Sequence, residues 1–158
     1  SLEILNVQLK IIGRVDSQIE GHIKRIFPDI VGVNFTGWVD DLNIELRSSH
    51  VAIIPSILDA GPVTVAESMS CGLPVIVSTG CGASTLVLEG ENGFTVPPRD
   101  AEAIVNKIKW FCENRARIKQ MGDSSINIIK RLSLNNQSGT AVNHLIHQIA
   151  TLEKKGKK

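Results

Sequence analysis

This 158-residue sequence predicts an α/β fold in which helices cover both faces of a doubly wound parallel sheet. Short β-branched runs alternate with stretches of helical periodicity, which is the order that βαβ units produce. The runs are almost continuously apolar, as expected for strands that are covered on both faces and never meet water. The predicted strands are 9–12, 31–35, 51–54, 74–77 and 94–96.

Helices are predicted between these strands because apolar residues recur there on one face. Asp16 and Asp40 are expected to cap the first two helices, since an aspartate carboxylate accepts hydrogen bonds from the unpaired N–H groups of a first turn. Pro62 suits the start of the third helix, and Gly72 suits the position just after its end. The pattern of the C-terminal third is wholly helical, which predicts a helical cover or a cross-brace. The predicted helices are 16–26, 40–46, 62–71, 100–113, about 116–132 and 138–152.

Composition and charge exclude several functional classes. The 17 Lys and Arg residues balance 16 Asp and Glu residues, so there is no strong field for nucleic acid or an anionic membrane, and an anion must be bound locally. Three irregularly spaced cysteines predict a reduced, intracellular chain rather than a disulfide scaffold or a zinc ribbon. No apolar run approaches the ~20 residues of a membrane span. We therefore expect a cytoplasmic protein with no transmembrane segment, no nucleic-acid partner and no metal site.

Turn residues are densest between positions 55 and 98, which contain five of the six prolines and six of the thirteen glycines. Turns at the ends of successive strands are where an α/β sheet forms its binding crevice. The helix that begins at Pro62 would present the unpaired N–H groups of residues 63–65 to an anion, at the positive end of the helix dipole. Gly61 leaves room for a close approach. The pattern predicts a phosphate-sized site made by the backbone.

Two carboxylates bracket this predicted anion site. Asp59 lies just before the helix and Glu67 lies one turn inside it, so each can accept hydrogen bonds from a vicinal diol such as that of a ribose or hexose. The alternative interpretation is that Asp59 is a turn residue and Glu67 a solvated helix residue. The loop at 78–84 favours a ligand site, because Gly80 and Gly82 would let the backbone approach a ligand. Its Cys81 is the thiol that we expect nearest to that ligand.

Five segments, in order, carry a resemblance that covers nearly the whole chain. They are LKIIGRV, FTGWVDD, SSHVAIIPS, DAGPVTVAESMSCGLPVIVST and ENGFTVPPRD. These segments resemble the strands, turns and E-x7-E region of the retaining nucleotide-sugar glycosyltransferases with a GT-B fold, namely glycosyltransferase family 4 and its glycogen-synthase-like relatives. The resemblance implies a Rossmann-like domain with extra C-terminal helices, which is the C-terminal, donor-binding half of such an enzyme.

The resemblance also implies which residues bind the donor. Asp59 falls on the first acidic position of the E-x7-E motif, which contacts the donor sugar, and is the candidate catalytic residue. Glu67 falls on the second acidic position, which holds the ribose. The other donor-binding candidates are the base-contacting Trp38 and Val39, the diphosphate-contacting Gly61, Pro62, Val63 and Thr64, and the loop glycines Gly13, Gly80 and Gly82.

The chemistry implied by the family is transfer of a hexosyl group from a UDP-, GDP- or ADP-sugar, with retention of configuration and without a metal cofactor. The helix dipole and cationic groups would stabilise the leaving diphosphate in place of a metal ion. Residues 1–153 would form the donor domain and 154–158 a basic tail. An acceptor-binding domain, absent from this chain, would lie before Ser1, together with a strand whose Arg and Lys grip the diphosphate. We expect the chain alone to be inactive.

The acceptor implied is a glycan or a lipid-linked glycan, in polysaccharide or glycoconjugate biosynthesis at the inner face of the membrane. Three positions depart from the family pattern. Asp59 stands where the motif has glutamate, and Cys81 and Thr85 replace a glycine and a glutamate of the following loop. These departures suggest one alternative, a non-catalytic nucleotide-binding or assembly module of the same fold. A nucleotide-sugar isomerase of that fold is another.

Overall fold

The computed structural model describes residues 7–26 and 32–135. The chain divides into two units between Glu45 and Leu46. Each unit contains a β-sheet whose strands alternate with helices along the chain, and every strand pairs in parallel. Parallel strands that alternate with helices are the arrangement that the sequence pattern predicts, so the α/β class is confirmed.

The first unit is built on two parallel strands, β1 (Leu9–Ile12) and β2 (Val33–Gly37). Strand β1 has the predicted bounds. Helix α1 (Ser17–Ile26) follows it. Asp16 caps this helix as predicted, because its Oδ1 accepts a hydrogen bond from the Gln18 N–H at 2.7 Å.

Two predicted boundaries near β2 are wrong by one or two residues. Strand β2 begins two residues later than predicted, since Gly32 precedes it with a φ of 81° and left-handed backbone interrupts a strand. Helix α2 (Leu42–Arg47) is capped by Asp41 instead of Asp40. The Asp41 Oδ1 accepts from the Asn43 N–H at 2.8 Å. Either of two adjacent aspartates satisfies the capping pattern, so the pattern cannot choose between them.

The second unit contains a parallel sheet with the strand order β3-β4-β5. Its elements are β3 (Ala52–Ile54), α3 (Val63–Ser70), β4 (Val75–Ser78), β5 (Gly93–Val96), α4 (Ala101–Glu113) and α5 (Arg115–Asn135). A short 3-10 helix, Gly82–Leu86, follows β4. All six elements lie within three residues of their predicted bounds. The predicted helix at 138–152 and the basic tail at 154–158 lie outside the described residues.

Strand β4 is the centre of the second unit, because all four of its residues are buried. Side chains of a strand alternate between its two faces. On one face, Val75 and Val77 pack in a cluster with Met69 of α3. On the other, Ile76 packs in a cluster with Phe111 of α4. Helices therefore cover both faces of this sheet, as its continuous apolar runs predict.

Helix α3 ends against α5 at a pair of glycines. Gly72 follows the C-cap residue Cys71 with a φ of 80°, so the predicted helix end is confirmed. A Cβ atom on Gly122 of α5 would lie 2.0 Å from the Gly72 carbonyl oxygen. The two helices can approach this closely only because residue 122 has no side chain, and the contact holds the C-terminal end of α3 in place.

Replacing Asn92 by alanine is expected to destabilise the chain by about 2–4 kcal/mol, because each buried polar group left unpaired costs about 1–3 kcal/mol. Asn92 is fully buried. Its Oδ1 accepts from the Leu88 N–H at 2.7 Å, and its Nδ2 donates to the Leu86 carbonyl at 3.1 Å. Urea unfolding measures the difference. The control is Asn106→Ala, since Asn106 is exposed on α4; equal stability of the two variants would contradict the prediction.

Candidate functional site

The predicted donor-binding residues of the second unit lie in loops at the carboxyl ends of β3 and β4 and in the first half of α3. The loop after β3 carries Asp59 and leads into α3, and the loop after β4 carries Gly80 and Gly82. The Thr79 N–H donates to the Val96 carbonyl at 2.9 Å, so the end of β5 lies beside the β4 loop. The carboxyl edge of a parallel sheet is where α/β proteins bind their ligands.

Backbone hydrogen bonds join the two loops at Asp59. The Asp59 N–H donates to the Gly80 carbonyl at 3.1 Å, and the Asp59 carbonyl accepts from the Gly82 N–H at 2.8 Å. Asp59 and Cys81 thereby form an isolated parallel bridge. The main chain of Asp59 is held on both sides, so the position of its carboxylate depends on the loop that follows β4.

The close approach that Gly80 and Gly82 allow is to the neighbouring loop. A Cβ atom on Gly80 would lie 2.1 Å from the Ile57 carbonyl oxygen, and one on Gly82 would lie 2.1 Å from the Ala60 carbonyl oxygen. A side chain at either position would push the two loops apart. The glycines therefore hold the Asp59 loop against the loop after β4. Their contact with a ligand stays a prediction.

The Asp59 carboxylate makes one local hydrogen bond and keeps one free oxygen. Its Oδ1 accepts from the Gly61 N–H at 3.1 Å, which is the Asx turn typical of this residue type. Its Oδ2 has no hydrogen-bond or ion-pair partner among the residues that the structure describes. Gly61 is exposed, and nothing lies within 4 Å of the position its Cβ would take. Asp59 is thus a turn residue that can also contact a ligand.

Helix α3 begins with open backbone donors. Its N-cap residue is Pro62, which makes no side-chain capping bond, and its first turn contains no acidic residue. In the described part of the chain, nothing accepts a hydrogen bond from the N–H of Val63 or Thr64. The prediction of a third open donor is wrong, because the Val65 N–H donates a hydrogen bond to the Pro62 carbonyl at 3.3 Å. Two open donors and the positive end of the dipole remain for an anion.

Glu67 lies one turn further along α3 and is half-buried. Burial raises the pKa of its carboxyl group above the ordinary value of 4.5, because desolvation disfavours the charged form. No side chain or backbone group of the described residues forms a hydrogen bond or an ion pair with this carboxylate. An ionised, half-buried carboxylate without a partner costs stability. It is therefore a candidate for binding a ligand that supplies the missing donors.

Glu67→Gln is expected to make the ligand-free chain more stable at neutral pH. The raised pKa means that the folded chain binds this proton more tightly than the unfolded chain. The free energy of unfolding therefore falls as the pH rises from 4.5 through the raised pKa of Glu67, and the variant should not show this fall. Urea unfolding at several pH values measures it, with Glu113→Gln at an exposed helix position as the control. Identical pH profiles for unaltered chain and Glu67→Gln would contradict the prediction.

The other predicted site residues lie in the first unit, where β1 and β2 end. The Gly13 N–H donates to the Gly37 carbonyl at 3.0 Å, and both glycines have positive φ, 118° and 68°. Trp38 is 71% exposed, and Val39 is half-buried. The structure thus brings Gly13 and Trp38 to one edge of the two-stranded sheet.

The surroundings of Arg14 and Cys81 were not predicted from the sequence. The Arg14 guanidinium lies 5.4 Å from the centroid of the Trp38 ring, and the only signal in the sequence is a cation directly after the glycine turn. The Cys81 side chain is 1% exposed and packs in the core with Val65 and Met69, and its nearness to a ligand stays a prediction. Its bridge to Asp59 directs the thiol inward.

The described residues contain neither a candidate metal cluster nor a candidate membrane span. Over residues 7–26 and 32–135, no three His, Cys, Asp or Glu side chains group in a way that could hold a metal ion. Within the same ranges, no helix combines the length and the apolar character needed to cross a bilayer. That the sugar transfer proceeds without a metal cofactor stays a prediction.

Comparison with known proteins connects this geometry to one family. A family model described as "Glycosyl transferases group 1" matches residues 2–114. The chain is 33% identical over 72 residues to the UDP-Gal:alpha-D-GlcNAc-diphosphoundecaprenol alpha-1,3-galactosyltransferase of Escherichia coli. That match covers 46% of this chain and 19% of the relative.

Solved structures show the same fold. Sucrose-phosphate synthase from Thermosynechococcus elongatus superposes with a TM-score of 0.74 and 26% identity, over 94% of this chain and 38% of that one. HepE from Anabaena, solved in complex with UDP-glucose, superposes with a TM-score of 0.71 and 20% identity, over 96% of this chain and 43% of that one. The chain thus spans less than half the length of these relatives, and the predicted Rossmann-like half of a GT-B fold is confirmed.

Proposed function

The chain belongs to the group 1 glycosyl transferases, and from this premise we propose that it binds a nucleotide-diphosphate sugar as the donor domain of a hexosyltransferase. The E. coli relative is named for a UDP-Gal reaction, and the Anabaena structure holds UDP-glucose, which supports a nucleotide sugar as the donor. The observation that carries the proposal is the uncapped N-terminus of α3 between two carboxylates, Asp59 and Glu67.

The open N–H groups of Val63 and Thr64 are assigned to the diphosphate. They suit an anion because they lack other acceptors among the described residues and lie at the positive end of the helix dipole. Gly61 is exposed with open space at its Cβ position, so a phosphate can come close to the backbone beside Pro62.

The carboxylates are assigned to the sugars. Glu67 would accept hydrogen bonds from the ribose hydroxyls, which replace the hydration that burial removes. Asp59 would use its free Oδ2 to contact the transferred sugar, while Oδ1 stays in the Asx turn. Trp38 and Val39 are assigned to the base, as the family resemblance implies.

For the full-length protein, we propose that the hexosyl group is transferred with retention of configuration. In this reaction the helix dipole, rather than a metal ion, stabilises the leaving diphosphate. The acceptor is a glycan or lipid-linked glycan held by a separate domain, in polysaccharide or glycoconjugate biosynthesis at the cytoplasmic face of the membrane. The donor domain is assigned to residues 1–153 and the basic tail to 154–158.

A non-catalytic module of the same fold is the second candidate. Of its three supporting departures, two have local structural explanations: Cys81 fills the core, and the Thr85 hydroxyl donates to the Gly82 carbonyl at 3.1 Å. The candidate therefore depends on Asp59, whose carboxylate reaches one methylene less far than a glutamate would. Transfer activity of Asp59 variants separates it from the enzyme.

Thermal unfolding with UDP, GDP, ADP and their sugars tests donor binding. A nucleotide present at one hundred times its Kd is expected to stabilise the chain by about 2.7 kcal/mol. Glu67→Ala should remove most of this gain, whereas Glu113→Ala, at an exposed position of α4, should keep it. Absence of stabilisation by every nucleotide, or an equal gain in Glu67→Ala, would refute the assigned donor site.

A further inference from the structure

Strand β5 lies at the end of the three-stranded sheet in the part of the chain that the structure describes. Its inner side pairs with β4, and beyond the last pair the Thr79 N–H donates to the Val96 carbonyl at 2.9 Å. Backbone groups of successive residues in a parallel strand point to opposite sides of that strand. The backbone groups of Gly93 and Thr95 therefore point away from β4, to the outer side of the sheet.

The outer side at Gly93 is closed by the residues that precede the strand. Glu89 and Gly93 form an isolated parallel bridge, and the Gly90 N–H donates to the Gly93 carbonyl at 2.9 Å. The Arg117 guanidinium of α5 holds this segment, because its Nη2 donates to the Gly90 carbonyl at 3.1 Å. The main chain of residues 89–90 thus lies beside the start of β5, where a further strand would pair.

The outer side at Thr95 is closed by the side chain of Glu89. Its Oε2 accepts hydrogen bonds from the Thr95 N–H at 2.9 Å and from the Thr95 hydroxyl at 3.3 Å. A further strand would offer a backbone carbonyl to this N–H, and here a carboxylate oxygen takes the place of that carbonyl. The side chain therefore completes the outer hydrogen bonding that the main chain begins at Gly93.

Lys107 of α4 holds the Glu89 carboxylate in this position. Its Nζ donates to the other carboxylate oxygen, Oε1, at 3.3 Å and lies 4.1 Å from the centroid of the Phe94 ring. The side chains of Lys107 and Glu89 are 32% and 54% exposed, so the ion pair itself contributes little stability. Its effect is positional, because a cation that contacts both the carboxylate and a ring of β5 keeps the carboxylate beside the strand.

We propose that Glu89 closes the outer edge of β5 and thereby prevents a second copy of this chain from pairing along it. An edge strand with open N–H groups is a template for another strand, and the β5 edges of two copies could pair with each other. In the unaltered chain the Thr95 N–H already has its acceptor, so a second strand must first displace the carboxylate from Thr95 and Lys107. This inference concerns self-association and does not depend on donor binding.

Hydrogen exchange of the Thr95 amide tests the closed edge directly. NMR of the unaltered chain is expected to show this N–H protected although it points away from β4. Glu89→Ala is expected to raise its exchange rate by about 10- to 150-fold, because the N–H loses a charged acceptor. Glu89→Gln keeps an oxygen for the Thr95 N–H and should raise the rate less. Glu91→Ala is the control, because Glu91 is an exposed glutamate of the same turn, and it should leave the rate unchanged.

A labelled synthetic peptide with the sequence of residues 92–97, NGFTVP, tests the pairing itself. Fluorescence anisotropy should show that Glu89→Ala binds this peptide about 10-fold more tightly than the unaltered chain and Glu91→Ala do. Sedimentation should show more self-association of Glu89→Ala than of the other two chains at equal concentration.

The outcomes decide the inference even if Glu89→Ala does not fold. A Thr95 N–H that exchanges freely in the unaltered chain refutes the closed edge without any variant. If Glu89→Ala folds, an unchanged exchange rate at Thr95 refutes the role of the carboxylate. Equal peptide binding and equal self-association of all three chains would show that the carboxylate does not keep a second strand away, which also refutes the proposal.

Discussion

Full-length protein carrying Asp59→Asn is expected to transfer the hexosyl group about 10- to 150-fold more slowly, while its affinity for the nucleoside diphosphate stays unchanged. Asparagine keeps the oxygen that accepts the Gly61 N–H, so the Asx turn and the backbone bridge to Cys81 remain in place. The substitution removes the negative charge, and a hydrogen bond to a charged group contributes about 1.5–3 kcal/mol. Initial rates with labelled donor measure the loss.

The same experiment distinguishes an enzyme from a binding module. Asp123→Asn is the control, because Asp123 is an exposed aspartate that forms an ion pair with Lys119 on α5. If Asp59→Asn transfers sugar at the rate of the control, the catalytic assignment is wrong. If neither the unaltered protein nor any variant transfers sugar although nucleotides bind, the non-catalytic module of this fold is the better description.

Gly82→Ala is expected to destabilise the chain by about 1–3 kcal/mol and to weaken nucleotide-sugar binding at the same time. The new Cβ would lie 2.1 Å from the Ala60 carbonyl oxygen, so the Asp59 loop must move away from the loop after β4. That movement lengthens the hydrogen bond from the Gly82 N–H to the Asp59 carbonyl, now 2.8 Å, and displaces the Asp59 carboxylate. Thermal unfolding should show a melting temperature lower by about 2–12 °C, since each kcal/mol is worth about 2–4 °C at this size.

Gly21→Ala is the matched control for this substitution. Nothing lies within 4 Å of a Cβ placed on Gly21, and the residue lies inside α1, where alanine is the better helix former. Its melting temperature and nucleotide-sugar affinity should not decrease. A Gly82→Ala chain that melts with this control and binds donor normally would show that the two loops do not depend on each other.

Element type and order were predictable because they depend on local patterns. Continuous apolar runs require strands that are covered on both faces, and β4 shows this with four buried residues between α3 and α4. The start and end of α3 follow from Pro62 and Gly72, whose backbone preferences act wherever they occur. The cap of α2 was misplaced by one residue because two adjacent aspartates fit the same pattern.

The site was predictable only in part. The sequence by itself determined which residues follow the strand ends, and so it indicated Asp59, Glu67 and the N-terminus of α3 as candidates. It could not show that Gly80 and Gly82 pack against the Asp59 loop, since that contact joins residues about twenty positions apart through the sheet. For the same reason it could not show that the Cys81 thiol packs in the core while its backbone bridges to Asp59.

The environments of side chains were decided by the tertiary structure alone. The raised pKa of Glu67 comes from burial against neighbouring elements, and the contact between Arg14 and Trp38 comes from two strands that end side by side. Desolvation and stacking both depend on atoms that are distant in sequence, so no local pattern encodes them. The sequence determined where the candidate site residues lie along the chain, and the fold decided the burial and the contacts of their side chains.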